Sequence, residues 1–527
     1  MRISEFISSA IQAGLPSFKR NAQGAISGLS MPGGSVTKFG GVGRKVVFFG
    51  DSITSNGSGA GGTSSEVNGN QVNGGRGWSW SGWQTWLMAR LGQPWWTDLQ
   101  GTGATGTGGV GGNQAVSSQT SYDMVDRLPF LIAMQPDVVI MHFGTNDVGN
   151  LGVSLTAAFP HRVAHTPSMA GLKTNTITIL NTACAIANKV VMIGVLPRTS
   201  SLTVTKRLQH LRQFQREVCR QYPNCIYVDP WEQIVNQSST NGDVLPLLMQ
   251  DQILHPSAKG AYFMSDVLTG LLAPMFPPSG SSVATLTDLF DATENPYGNI
   301  CTNATLAGTT GTFTGNTATL AGGSQLATSW NFASSNATNT ITATKSTAVL
   351  NGVTYNVQEL TVVSAGGGAR TDSAKFKHAD LFSGSGVWNP AGNFVVGDRF
   401  IGEMRIELLD TINATLLQLN IGCNDGVVAN TRGRIFGLPL GSYTNADGIE
   451  TLPDFTAATL ALTLRTPILD TTGLITGSTN PGTATFASMI FNLTLGVNGL
   501  IAGSKIKVRV YPPIWRKLPP ESIDFLA

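Results

Sequence analysis

Three segments of this chain carry side chains of the types that covalent catalysis uses. Phe49-Gly50-Asp51-Ser52-Ile53-Thr54 places a serine hydroxyl after an apolar run. Gly50 permits a tight turn there, and the backbone that follows can present N–H groups to an anion. Phe143-Gly144-Thr145-Asn146-Asp147 supplies a side-chain amide, a donor suited to a developing oxyanion. Leu254-His255-Pro256-Ser257 supplies an imidazole, and Asp251 lies four residues before it. A serine hydroxyl is almost wholly protonated at neutral pH, so attack needs a base within reach, and that base needs an orienting group. Ser52, His255 and Asp251 are the candidates for these roles. Each segment also has a plainer reading: a helix-capping turn for Ser52, an Asx-turn for Asn146 and a satisfied surface residue for His255.

These side chains can meet only if the elements before them end at one place. Residues 45–275 alternate short β-branched runs with helical patterns, which predicts a parallel α/β sheet. Lys45–Phe49, Trp96–Leu99, Asp137–Met141, Lys189–Val195 and Cys225–Val228 read as strands. Helices are expected over the Trp-rich run Trp78–Leu91, around 169–187 and 204–221, and from Ser257 to Leu272. The alternation describes a three-layer α/β/α sandwich. Ser52 and Asn146 would then both leave strands at the carboxyl edge, where ligands of open α/β sheets bind.

Together the three segments resemble the SGNH (GDSL-type) serine hydrolases: GDSI at 50–53, GTND at 144–147 and a late Asp…His-Pro segment, in the family's order, over roughly residues 45–270. The resemblance implies a flavodoxin-like fold and acyl transfer without any cofactor or metal. By it, Ser52 attacks the acyl carbon, and its N–H joins an oxyanion hole completed by Asn146 and a glycine N–H after the second strand. Gly103 fits that last position best, with Gly101 and Gly106 open. One departure stands out: the family usually has Asp three residues before the His, where this chain has Gln252. Asp251 would need a one-residue bulge to reach His255; otherwise a backbone carbonyl would orient a Ser-His dyad.

The rest of the chain sets the context. At 527 residues it needs more than one ordinary core. Charged residues are 12%, about half the usual share, and the net charge is only +2, so no basic stripe suggests a nucleic-acid partner. Five scattered cysteines match neither a metal site nor a disulfide framework; Cys219 and Cys225 are the one candidate pair, against a reading as buried free thiols. The first residues show Ile3, Phe6, Ile7, Ala10 and Ile11 at helical spacing, interrupted by Ser8, Ser9 and Gln12, so residues 1–40 read as a helix or docking arm rather than an export signal. No membrane span is expected. Residues 41–275 read as the hydrolase domain, 276–285 as a Pro/Gly/Ser linker, and 286–527 as an all-β sandwich or jelly roll that binds carbohydrate or serves assembly. There Glu403–Leu408, Leu460/Leu462/Leu464 and Ile506/Val508/Val510 alternate with period two.

The expected substrate is therefore a small ester, above all an O-acetyl group on a polysaccharide. The β-domain, the low charge and the tryptophans near the site suggest a carbohydrate partner, although the tryptophans read mostly as core. A lipid or short-chain ester hydrolase and an adhesive protein with an inactive SGNH domain are the alternatives. The composition and the N-terminal arm suit a phage tail fibre or tailspike, with virion proteins docked on the arm and three copies assembled, as well as a bacterial esterase.

Overall fold

The computed structural model describes residues 17–20, 26–30, 36–37, 46–55, 76–92, 114–156, 164–249, 253–276, 283–285, 288–315, 319–320, 323–336, 338–378, 394–395, 397–424, 432–438, 444–445, 448–449, 451–456, 459–466, 468–471 and 488–519. The expected strand at Trp96–Leu99, the helical spacing of Ile3–Ile11 and the Gly-rich stretch 57–75 lie outside these residues. Within 1–40 the described residues form a small antiparallel sheet of Ser17–Arg20, Ile26–Ser30 and Val36–Thr37.

Four parallel strands organise the first half of the chain: Val46–Gly50, Val138–His142, Lys189–Ile193 and Cys225–Val228, adjacent in that order. The first two are buried along their whole length, which explains their unbroken apolar sequence. Helices Met169–Ile186, Leu202–Cys219 and Ala258–Leu272 cover the sheet, each begun by a serine whose side chain accepts a backbone N–H three residues on. Two apolar clusters flank the sheet, one containing Val47, Phe49, Val139 and Met141, the other Val46, Phe48, Val138 and Ile140. The strands thus feed alternate residues to opposite sides. Cys219 and Cys225 are free thiols, as are Cys184 and Cys301. No helix among the described residues is long and apolar enough to cross a membrane.

The second half is β-rich. One sheet of eight strands contains Thr340–Leu350, Val353–Val363, Lys505–Val510, Arg399–Ile412 and Leu460–Arg465 in that spatial order. Lys505–Val510 therefore lies between strands far from it in sequence. A second sheet of seven strands contains Ala414–Asn424, Ser488–Val497, Asp372–His378 and Leu326–Ser334. All three period-two segments singled out above are strands of the first sheet.

The two halves share one core. Trp78 was expected on a helix; instead Arg76–Ser79 is a strand, pairing in parallel with Arg432–Leu438 in the seven-stranded sheet. The helix begins only at Trp83. Between them Trp80 donates its indole N–H to the Leu417 carbonyl at 2.6 Å and packs on Trp86 and Phe436. Gly437 (φ +83°) lies so close that a Cβ there would be 2.5 Å from the Trp80 indole nitrogen. Trp78, Trp80, Trp83 and Trp86 are all at most 1% exposed, so they serve packing and not sugar stacking. Phe276 and Ala284, at either end of the Pro/Gly/Ser stretch, belong to the same cluster. A buried large aromatic truncated to alanine costs about 3–5 kcal/mol. Trp80→Ala should therefore lower the stability of the whole chain by that amount, and wild-type denaturation should show coincident far-UV and tryptophan-fluorescence transitions. Two separated wild-type transitions would mean that the halves are independently stable.

Candidate active site

Register brings the first two segments together. Gly50 pairs with His142 at the ends of adjacent parallel strands, so Asp51-Ser52 and Gly144–Asn146 leave the sheet side by side. Only glycine fits at position 50: a Cβ would stand 2.3 Å from the His142 carbonyl oxygen and 2.8 Å from Thr54 Oγ1. The chain then turns directly into the short helix Ser52–Ser55. Asp51 holds this turn, accepting the Ile53 N–H on Oδ1 at 3.0 Å. Its carboxylate is buried, and Oδ1 lies 3.5 Å from Nδ1 of His142, whose ring is fully buried.

His255 comes from the far end of the segment and reaches the same place. Its Nε2 is 3.0 Å from Ser52 Oγ. The loop that carries it is fixed on its carboxyl side: Ser257 caps the helix Ala258–Leu272 by accepting the Gly260 N–H at 3.2 Å, and its own N–H donates to the Leu248 carbonyl at 2.9 Å. This is hydrogen-bonding distance for a general base and its nucleophile. Asp251 and Gln252 lie outside the described residues.

Asn146 sits in the short helix Thr145–Gly149, half-buried. Gly144 precedes it at φ +111°, where a Cβ would stand 2.6 Å from Leu211 Cδ2. One N–H of the Asn146 amide donates to the Gln119 carbonyl at 2.9 Å, which fixes its plane. Asp147 follows it in the same short helix. It is fully buried and accepts the Ser121 N–H and, at 2.6 Å, the Ser121 hydroxyl. Burial pushes its carboxyl up to about 6, against the Ser121 hydrogen bonds, which favour the charged form.

Gly103 lies outside the described residues, as do Gly101 and Gly106. At this edge the structure places residues 114–120, a segment without any of the three motifs. Gln114 N–H donates to the Phe48 carbonyl at 2.7 Å and Val116 N–H to the Gly50 carbonyl at 3.0 Å, so it runs beside the strand Val46–Gly50. Ser118 then adopts φ +63°, and Gln119 supplies the carbonyl that holds Asn146. A local signal was available: Thr120 and Asp123 form a capping box at the start of the helix Ser121–Asp126.

Residues 48–262 match the model of the GDSL-like Lipase/Acylhydrolase family. The match supports ester hydrolysis as its chemistry. Solved structures to which the chain shows similarity include a GDSL-like lipase from Bacteroides thetaiotaomicron, 18% identical over 44% of this chain and 89% of that one, with a TM-score of 0.28. An acetylxylan esterase from Geobacillus stearothermophilus is 15% identical over 45% of this chain and 95% of its own, with a TM-score of 0.29. No curated protein matches the chain.

Asp147 yields a pH prediction. Its folded-state value lies above the ordinary carboxyl value of 3.8, so the native state holds the proton more tightly than the unfolded chain. The stability that this proton confers is complete below about pH 4 and is lost as pH rises through about 6, a difference of roughly 3 kcal/mol at most. Asp147→Asn should remove that slope, as urea denaturation at pH 4, 5, 6 and 7 would reveal. Equal slopes in the two proteins would show that Asp147 titrates normally.

Proposed function

We propose that this protein is a serine esterase that removes small acyl groups, with Ser52 as nucleophile and His255 as general base. The observation that carries this reading is the 3.0 Å contact between Ser52 Oγ and His255 Nε2 at the carboxyl edge of the parallel sheet. His255 takes the hydroxyl proton as Ser52 attacks the ester carbonyl, and it returns that proton to the departing alcohol. The tetrahedral oxyanion lies against the Ser52 N–H and the second N–H of the Asn146 amide. Water then repeats the sequence on the acyl-enzyme. Asp251 and Gly103 belong to this proposal as the group orienting His255 and the remaining oxyanion donor.

The favoured substrate is an O-acetyl group on a neutral polysaccharide. Support comes from the low charge of the chain and from a site built on the same core as a large β-rich region. A virus tail fibre, with three copies assembled, is the proposed setting; light scattering that returned a stable monomer would remove it.

Hydrolysis of p-nitrophenyl acetate, and acetate release from O-acetylated polysaccharides followed by NMR, test the reading. Ser52→Ala and His255→Ala should abolish turnover. Asn146→Ala should lower kcat by about 10²–10³-fold, the typical worth of one oxyanion donor. A wild-type protein inert on every ester, or a Ser52→Ala variant as active as wild type, would sink it.

A further inference from the structure

Arg127 is an oddity for a chain with so few charges. It is only 3% exposed and lies at the junction of the helices Ser121–Asp126 and Leu128–Met134. Burial lowers its pKa to about 10, while the negative charges of Asp123 and Asp51 work the other way. Burying a guanidinium is expensive, and an apolar residue in its place is often neutral or stabilising. Its donors are not spent on a carboxylate: one Nη donates to the Gln114 carbonyl and the other, at 3.2 Å, to the Gly50 carbonyl. The guanidinium also lies over the Phe49 ring, 4.9 Å from its centroid.

Those two carbonyls belong to the two halves of the site. Gly50 is the last strand residue before Asp51-Ser52. Gln114 opens the segment whose Gln119 carbonyl holds the Asn146 amide. A continuous path therefore runs from Ser52 through Gly50 to Arg127, on through Gln114 to Gln119, and ends at Asn146. We infer that Arg127 is a positioning residue for ester hydrolysis, its planar fork fixing the nucleophile turn relative to the segment that orients the oxyanion donor. The inference rests on the esterase reading above. Arg127 touches neither substrate nor reacting atoms; it acts through two backbone carbonyls. Only a planar, multi-donor cation spans both at once, and a lysine ammonium at the end of a flexible stem does not.

Misplacement of reacting groups by an ångström can cost about 10²-fold in rate. Arg127→Lys keeps the charge and removes the fork. It should lower kcat for p-nitrophenyl acetate by about 10–100-fold, with KM within about two-fold of wild type, because ester binding is not what the fork controls. Labelling of Ser52 by a fluorophosphonate should slow in proportion, and thermal unfolding reports whether the variant is folded. Arg127→Ala, if folded, should regain activity on addition of methylguanidinium, while wild type should not respond. A folded Arg127→Lys with wild-type kcat would overturn the inference, as would a loss that merely tracks the unfolded fraction. An active wild type beside an equally active Arg127→Lys removes this inference alone. A wild type without Ser52-dependent activity removes the esterase reading and the inference together.

Discussion

The in-register pairing of Val46–Gly50 with Val138–His142 is the constraint on which the site depends. Parallel strands of equal register end at the same height, so the turns after Gly50 and His142 must begin side by side. Backbone geometry then allows no slack: the His142 carbonyl occupies the space that any side chain at position 50 would need. A slip of one residue would turn every apolar side chain of a strand buried on both faces to the wrong cluster and also move Ser52 away from Asn146. The packing that stabilises the sheet and the placement of Ser52 beside Asn146 are thus one requirement.

His255 is placed by a different route. His255 precedes the helix Ala258–Leu272, which packs on Trp83–Leu91 and meets the β-rich region through Tyr262 on Phe455 and Lys259 with Asp454. The ion pair is partly exposed and is worth at most about 1 kcal/mol. The buried aromatic surface of Trp80, Trp86 and Phe436 is worth several times more by area. Tyr262 joins that aromatic surface by packing on Trp86, so apolar packing holds the helix more than the charge pair does. The turn that carries Ser52 is tied to the same place, since Gln84 on Trp83–Leu91 donates its side-chain amide to the Thr54 carbonyl.

Much of this was legible in local sequence. Unbroken apolar runs marked the buried parallel strands, helical spacing marked the helices that cover them, and the three ordered motifs marked the segments that meet at the sheet edge. What escaped was set by partners distant in sequence. Trp78 and Trp80 share helical spacing with Trp83 and Trp86, yet a strand forms at Arg76–Ser79 because Arg432–Leu438 pairs with it. No local period reports such a pairing. The segment 114–120 carries no such signal for a related reason: glycines are the usual mark of a left-handed turn, while the one observed at this edge is made by a serine, Ser118. A positive φ costs a non-glycine residue on the order of 1 kcal/mol, so it is met where surrounding contacts over-determine the turn.

Those contacts are the polar ones under the sheet edge, and they explain why the edge tolerates so many buried ionisable groups. Asp51, Asp123, Arg127, His142 and Asp147 are all nearly inaccessible to solvent. A core built for stability alone would replace them with apolar side chains. Four of them instead hold backbone of one of the three turns: Asp51 the Ile53 N–H, Asp123 the Thr120 N–H, Arg127 the Gly50 and Gln114 carbonyls, Asp147 the Ser121 N–H; His142 lies against the Asp51 carboxylate. Turns at the end of a sheet have no ladder to fix them, and directional bonds from buried side chains provide what the ladder cannot. The apolar clusters above and below the sheet are large enough to offset the cost of burying these groups, so precision at the edge is achieved with stability drawn from the core.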